Sequence, residues 1–271
     1  MEGRRERIRA SAGGIAAAVA IAFVLNAARA AAGGAGTAAP ADPGKTRPAK
    51  PAIPVTVLAH PSMSGNAMWK VDLSKIFMDV GQNVRETLGI RLRIRAFGYL
   101  DAGTAPAVPR KPGSPSLRPY LPVLRAAADR LDGETAGGIL VGLVPEGPDG
   151  PVCPGLADYP NGIIVLKYLE AKGGMPFVLL HEICHLFGAV DIEEPGSVMS
   201  LQGASFRIDR FTREIMAVNR DRSFRRGACP LTPDRAAEAL AVYGRREALH
   251  LGEPELRICL DELRAMMASR R

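Results

Sequence analysis

At 271 residues and 47% hydrophobic content, the chain is long enough to bury one substantial core, and its composition is not that of a low-complexity or disordered protein. Of its formal charge of +7, residues 1–30 supply +3 through five Arg and two Glu, which leaves a diffuse +4 for the remainder. No cluster of Lys and Arg interleaved with aromatics stands in that remainder, so a nucleic-acid partner is excluded.

The chain opens with Arg4, Arg5, Arg7 and Arg9, then an apolar run from Gly13 to Leu25, then Ala28-Arg29-Ala30 as an A-x-A cleavage site. Basic start, short apolar stretch and small residues make a secretory signal peptide over residues 1–30, cleaved near Ala30, which implies a secreted or periplasmic product. The alternative is an uncleaved membrane anchor, although the apolar run is shorter than the roughly 20 residues a span needs. Residues 31–54 are rich in Ala, Gly, Pro and Lys without periodicity and read as a flexible linker.

Val55 to Ala59 is a short β-branched run, a first strand. From Val71 to Leu88, apolar residues at Leu73, Ile76, Phe77, Val80, Val84 and Leu88 recur at helical spacing, and Gly89 ends the helix. Ile90, Leu92 and Ile94 alternate with Arg91, Arg93 and Arg95, a half-buried strand with a solvated basic face. Five prolines between Pro109 and Pro122 make a loop, Leu121 to Leu131 a short helix, and Ile139 to Val144 a buried strand. After a Gly/Pro loop around Cys153, the turn signal Asn161-Gly162 opens a further apolar strand, Ile163 to Tyr168.

An apolar run then carries HEICHLFGAVD, with His181, Glu182 and His185 in HExxH spacing, Gly188 three residues on and Asp191 after another three. Residues four apart share a helix face, so both imidazoles can reach one ion with Glu182 beside them. A zinc site that performs chemistry normally has three protein ligands and one open position, and Gly188 can end the helix and turn the chain so that Asp191 becomes the third. Glu193 and Glu194 are nearby carboxylates that could serve instead, whereas His60 and His250 lie far away in sequence.

HEICHLFGAVD followed by GSVMS resembles the metzincin zinc endopeptidases, in particular the matrixin-like and snapalysin-like members, with HExxHxxGxxD and a methionine turn. The resemblance covers roughly Val55 to Phe224. It implies His181, His185 and Asp191 as ligands to Zn²⁺, Glu182 as general base and acid, Gly188 as the turn and Met199 as a hydrophobic floor. Two departures stand out: Asp replaces the commoner His as third ligand, and no Tyr follows Met199 by two residues. The implied fold is α/β (α+β), a mixed twisted sheet with the active-site helix and a C-terminal helix, here Phe206 to Phe224, below the cleft. By the same analogy, Ile163 to Tyr168 would be an edge strand that pairs with an extended protein or peptide substrate, the alternative being an ordinary sheet strand, since sequence does not identify an edge. No cysteine precedes Cys153, so the matrixin cysteine switch is absent.

Pro233 to Leu249 and Pro254 to Met267 read as two more helices, an appended hairpin that divides the mature chain into a protease domain, 55–226, and a C-terminal segment, 227–271. Cys229 and Cys259 flank this hairpin and are the preferred disulfide pair, while Cys184 is either a free thiol or bridged to Cys153. The function expected is that of an exported zinc-dependent metalloendopeptidase. A catalytically silent metal-holding binding protein and a zinc amidase acting on a non-protein substrate are the alternatives.

Overall fold

The computed structural model describes residues 52–66, 68–108, 117–135, 137–145, 154–169, 174–192, 194–200, 205–222, 224 and 232–249. The expected signal peptide, nearly all of the linker, the helix at 254–267, His250, Glu193 and Cys153, Cys229 and Cys259 lie outside the described residues.

Among the described residues, five strands form one sheet: β1 (Ile53–Ala59), β2 (Leu92–Tyr99), β3 (Ile139–Pro145), β4 (Gly155–Asp158) and β5 (Ile163–Tyr168), in the order β2-β1-β3-β5-β4. Pairings β1/β2, β1/β3 and β3/β5 are parallel, and only β4 runs antiparallel, against β5. The fold is therefore α/β (α+β) with a mostly parallel sheet, as expected. Parallel neighbours need crossovers, and α1 (Trp69–Leu88) and α2 (Tyr120–Thr135) lie in two of them. Three further helices follow: α3 (Met175–Leu186), α4 (Arg210–Val218) and α5 (Pro233–Leu249). Among the described residues, no helix is long and apolar enough to cross a membrane.

Alternation along the strands divides the apolar residues between two layers. Val55 and Val57 of β1, Val141 and Leu143 of β3, and Ile164 and Leu166 of β5 face the principal core, shared with α1, α3, α4 and α5. Leu58, Leu140, Val144, Ile163 and Val165 face a smaller core under α2, built on Leu124, Ala127 and Ala128. Strands covered on both faces read as continuous apolar runs, which is why β3 and β5 stand out in the sequence. On α1 the buried side is Trp69, Leu73, Ile76, Phe77, Val80, Val84 and Leu88, and Gly89 caps it at φ 66° with its N–H on the Arg85 carbonyl at 2.7 Å. A left-handed residue there suits glycine.

The sequence expectation for the substrate-side edge has to be corrected. Ile163–Tyr168 is interior, hydrogen-bonded to β3 on one side and β4 on the other, and among the described residues Gly155–Asp158 is the outermost strand on that side. The four residues Gly-Leu-Ala-Asp lack β-branched character, and pairing with β5 makes them a strand. At the opposite edge, β2 extends to Tyr99, and a bulge opposite Val55/Thr56 skips Arg95 in the pairing with β1. Arg91, Arg93 and Arg95 are exposed there, charges that discourage pairing with another chain.

Nor does α5 stand apart from the rest. Ala236, Ala239, Val242 and Tyr243 are buried in the principal core, beside the metal-motif helix α3 and the helix α4.

Gly142, in the middle of β3, is where α2 approaches most closely. A Cβ at this position would lie 2.4 Å from Leu124 Cδ1 and 2.9 Å from Cδ2, and Leu124 is fully buried. Gly142→Ala is expected to destabilise the protein by about 1–3 kcal/mol through overpacking. In urea unfolding the midpoint should fall with the slope unchanged.

Candidate metal centre

The helix α3 is apolar nearly all round, with Val178, Leu179, Leu180, Ile183, Cys184 and Leu186 buried, because it runs through the centre of the principal core. His181 and His185, one turn apart, emerge together at its C-terminal half, with ring centroids 4.7 Å apart. Just beyond the helix, Gly188 takes φ 84° and turns the chain back, which brings Asp191 across to both imidazoles. His181 Nε2 and His185 Nε2 are 3.1 Å apart, and Asp191 Oδ1 lies 3.2 Å from the first and 3.5 Å from the second.

The loop backbone orients both rings. His181 Nδ1 donates to the Val198 carbonyl at 2.9 Å, and His185 Nδ1 donates to the Ala189 carbonyl at 2.8 Å. A carbonyl can only accept, so each Nδ1 carries the hydrogen and each Nε2 turns its free valence to the centre. Two imidazole nitrogens and a carboxylate oxygen at these distances repel one another unless something positive joins them.

The electrostatics express that demand. Burial alone would lower the imidazolium pKa of His185, but the hydrogen bond to Asp191 and the charges of Glu182 and Asp191 raise it to about 9. His181 is raised for the same reasons, against burial and against the neighbouring His185. Burial pushes the Asp191 carboxyl up, yet the hydrogen bonds and charges of the two imidazoles hold it well below the usual carboxylate range. A metal cation placed here would take the place of a proton. The donor set is His181, His185 and Asp191, whose ligand atoms lie within 4.8 Å of one another. Their side chains remain 15–20% exposed, so the centre opens to solvent.

Of the alternative carboxylates, Glu194 is engaged elsewhere, in an ion pair with Arg207 at 2.9 Å. Arg207 also donates to the Gly196 carbonyl at 3.0 Å, which ties down the loop after Asp191. Glu182 is 5% exposed and lies against the edge strand: a Cβ on Gly155 would sit 2.3 Å from Glu182 Oε1 and 2.7 Å from its Cγ. Only glycine leaves room for the carboxylate, a requirement the sequence reading missed because the Pro- and Gly-rich context around residue 155 reads as loop. Of the histidines outside the motif, His60 is occupied by Ser62 and by the Pro106 carbonyl at 3.0 Å.

Met199 is fully buried, and its segment is fixed by a polar knot that the sequence reading also missed. Ser197 Oγ and Thr212 Oγ1 each donate to Asp209 Oδ2 at 2.5 Å, the Thr212 N–H donates to Asp209 Oδ1 at 2.9 Å, and Met199 N–H donates to Ser197 Oγ at 3.1 Å. Asp209 thus caps α4 while anchoring the turn whose Val198 carbonyl orients His181. Asp209 followed by Thr212 before an apolar-periodic run was a legible helix-start signal. Cys184 is a free, fully buried thiol whose pKa burial pushes up.

No protein-family model matches the chain, and no curated protein does. Among solved structures, metalloproteinase-II from Bacteroides fragilis aligns at 15% identity with a TM-score of 0.43 over 64% of this chain and 54% of that one. The chain thus spans about half the length of that protein.

Burial would raise the Asp209 carboxyl, but the hydrogen bonds from Ser197 and Thr212 outweigh it and hold the pKa below its ordinary value. A carboxyl depressed in the folded state adds stability above the unfolded pKa of about 3.9 and loses it as pH falls through the folded value. Asp209→Asn is therefore expected to cost about 2 kcal/mol at neutral pH, the scale of hydrogen bonds to a charged group. The gap to the native protein, measured by denaturant unfolding at successive pH values, should narrow only below about pH 4.

Proposed function

We propose that this protein is an exported zinc-dependent metalloendopeptidase. The observation that carries the reading is the convergence of His181 Nε2, His185 Nε2 and Asp191 Oδ1, with the charge of Glu182 acting on both imidazoles, in a centre that remains open to solvent. Two imidazoles with one carboxylate form a known catalytic zinc set, and nitrogen-rich donors suit zinc better than magnesium or calcium. Zinc, when bound, polarises a carbonyl oxygen and lowers the pKa of water towards neutrality.

The roles of the chain's own groups follow from their placement. His181, His185 and Asp191 hold the metal, and the Val198 and Ala189 carbonyls keep the rings turned to it. Glu182 takes the proton of the attacking water and passes it to the leaving amine. Its position against Gly155 puts it next to β4, the outermost strand among the described residues, and this supports a reading in which an extended peptide lies alongside β4. The substrate is accordingly a protein or peptide. The basic, apolar and small-residue pattern of residues 1–30 supports export of the chain to a secreted or periplasmic location.

Glu182→Gln is expected to lower peptide hydrolysis by at least about 10²-fold while zinc content, measured by elemental analysis, stays at the native level. Chelation should abolish activity and added zinc restore it. Loss of zinc without loss of hydrolysis would defeat the proposal, and so would a native protein that holds zinc but cleaves no member of a broad peptide library.

Gly155→Ala pushes directly on the Glu182 carboxylate and should reduce kcat more than KM. In that background Glu182→Asp, whose carboxylate is one methylene shorter, should cost less than it does in the native protein. Additive losses in this double-mutant cycle would show that the two positions are not coupled.

A further inference from the structure

We propose that Tyr243, on the C-terminal helix α5, is a positioning residue for the metal centre; the inference rests on the zinc-site reading above. The Tyr243 hydroxyl donates to the Gly188 carbonyl, at the left-handed turn between the second imidazole and Asp191. That turn is where the ligand loop has most conformational freedom, since glycine alone among its residues tolerates both hands of backbone.

The peptide that Tyr243 grips is coupled to the ligands on both sides. Its other end, the Ala189 N–H, donates to the Cys184 carbonyl at 3.0 Å, and the next carbonyl along, that of Ala189, accepts from His185 Nδ1 at 2.8 Å. Asp191 follows two residues later. Rotation of the Gly188–Ala189 peptide thus disturbs the orientation of His185 and the reach of Asp191 together. Asn219 closes the turn from the other side: a Cβ on Gly188 would lie 2.9 Å from both Asn219 Nδ2 and Tyr243 Oη. Gly188 is constrained by crowding as well as by its backbone angle.

Tyr243 is suited to this task and its ring is fixed. It is 2% exposed, packs against Phe211 with centroids 6.3 Å apart, and sits on a helix face that Ala236, Ala239 and Val242 bury in the principal core. The orphan carbonyls at the end of α3 are then met from the C-terminal part of the chain, Leu186 by Arg222 and Gly188 by Tyr243. The helix α5 belongs to the metal centre through one hydroxyl.

The test uses the full-length protein loaded with zinc and follows transfer of zinc to a chromophoric chelator well below the unfolding temperature. Tyr243→Phe keeps the ring and removes the oxygen, and zinc release is expected to accelerate about tenfold, the lower end of what outer-shell partners contribute. Ala239→Gly serves as the comparison: it weakens α5 without touching the hydroxyl, and should lower thermal stability while leaving zinc release within twofold of native. Unchanged release in Tyr243→Phe would overturn the inference, as would equal acceleration in both variants, which would assign the effect to helix docking alone. Native protein that takes up no zinc would instead overturn the metal-centre reading itself.

A second measurement needs no substitution. Coupling between two sites is reciprocal, so zinc binding must tighten the Tyr243 clamp by the factor by which the clamp tightens zinc. Amide hydrogen exchange in α5 of the native protein should slow when zinc is added. Equal exchange with and without zinc would count decisively against Tyr243 acting on the metal.

Discussion

Two imidazole nitrogens held 3.1 Å apart, with a carboxylate oxygen closing the triangle, are the constraint on which the rest of the molecule turns. Burial opposes charge on every member of this group, and the imidazoles and the carboxylate favour charge on one another strongly enough to outweigh it. The group persists because each imidazole is tied at Nδ1 to a backbone carbonyl, and those carbonyls belong to segments with no freedom to move away. The Val198 carbonyl is secured by the Ser197–Asp209–Thr212 knot, the Ala189 carbonyl by the crowded Gly188 turn. Much of the structure after α3 serves to keep this arrangement in place.

How much of this was legible in the sequence depends on what kind of residue carries each part. HEICHLFGAVD was readable because helical geometry fixes the spacing of its residues, so the cluster of His181, His185 and Asp191 could be named before any fold was known. The doubly covered strands β3 and β5 announced themselves as apolar runs, and α1 by a buried stripe from Leu73 to Leu88. In each of these cases the signal is local.

What was missed is carried by contacts between distant segments. The edge strand Gly155–Asp158 has no strand-forming composition and exists only through its partner β5, so the edge was assigned to Ile163–Tyr168, the segment with the visible signal. The helix α4 was read too long, from Phe206 to Phe224, since apolar spacing continues past both ends; the structure starts it after Asp209, where a side-chain cap is available, and closes it at Asn219. Glycine is where local reading fails most completely. Gly188 showed itself as a turn, but Gly142 and Gly155 are small because Leu124 and Glu182 come up against them, and nothing beside them in the chain reveals it.

The same reasoning bears on why α5 is held so firmly. A helix joined to a core only by apolar contact can slide or tilt at small cost, because dispersion and burial are weakly directional. The hydrogen bond from Tyr243 to Gly188 is directional, and it lands on the one residue whose backbone most needs a fixed orientation. Arg222 acts in the same way from the segment after α4, donating to the carbonyls of Leu186 and Tyr159 while its guanidinium stacks 3.9 Å from the Tyr159 ring. Buried this deeply, an Arg is tolerated only because those carbonyls and the ring answer its charge, which makes its position as unforgiving as theirs. The end of α3 is therefore set by two side chains that arrive from later in the chain. The ligand loop therefore owes its final shape to contacts with α5 and with the segment after α4.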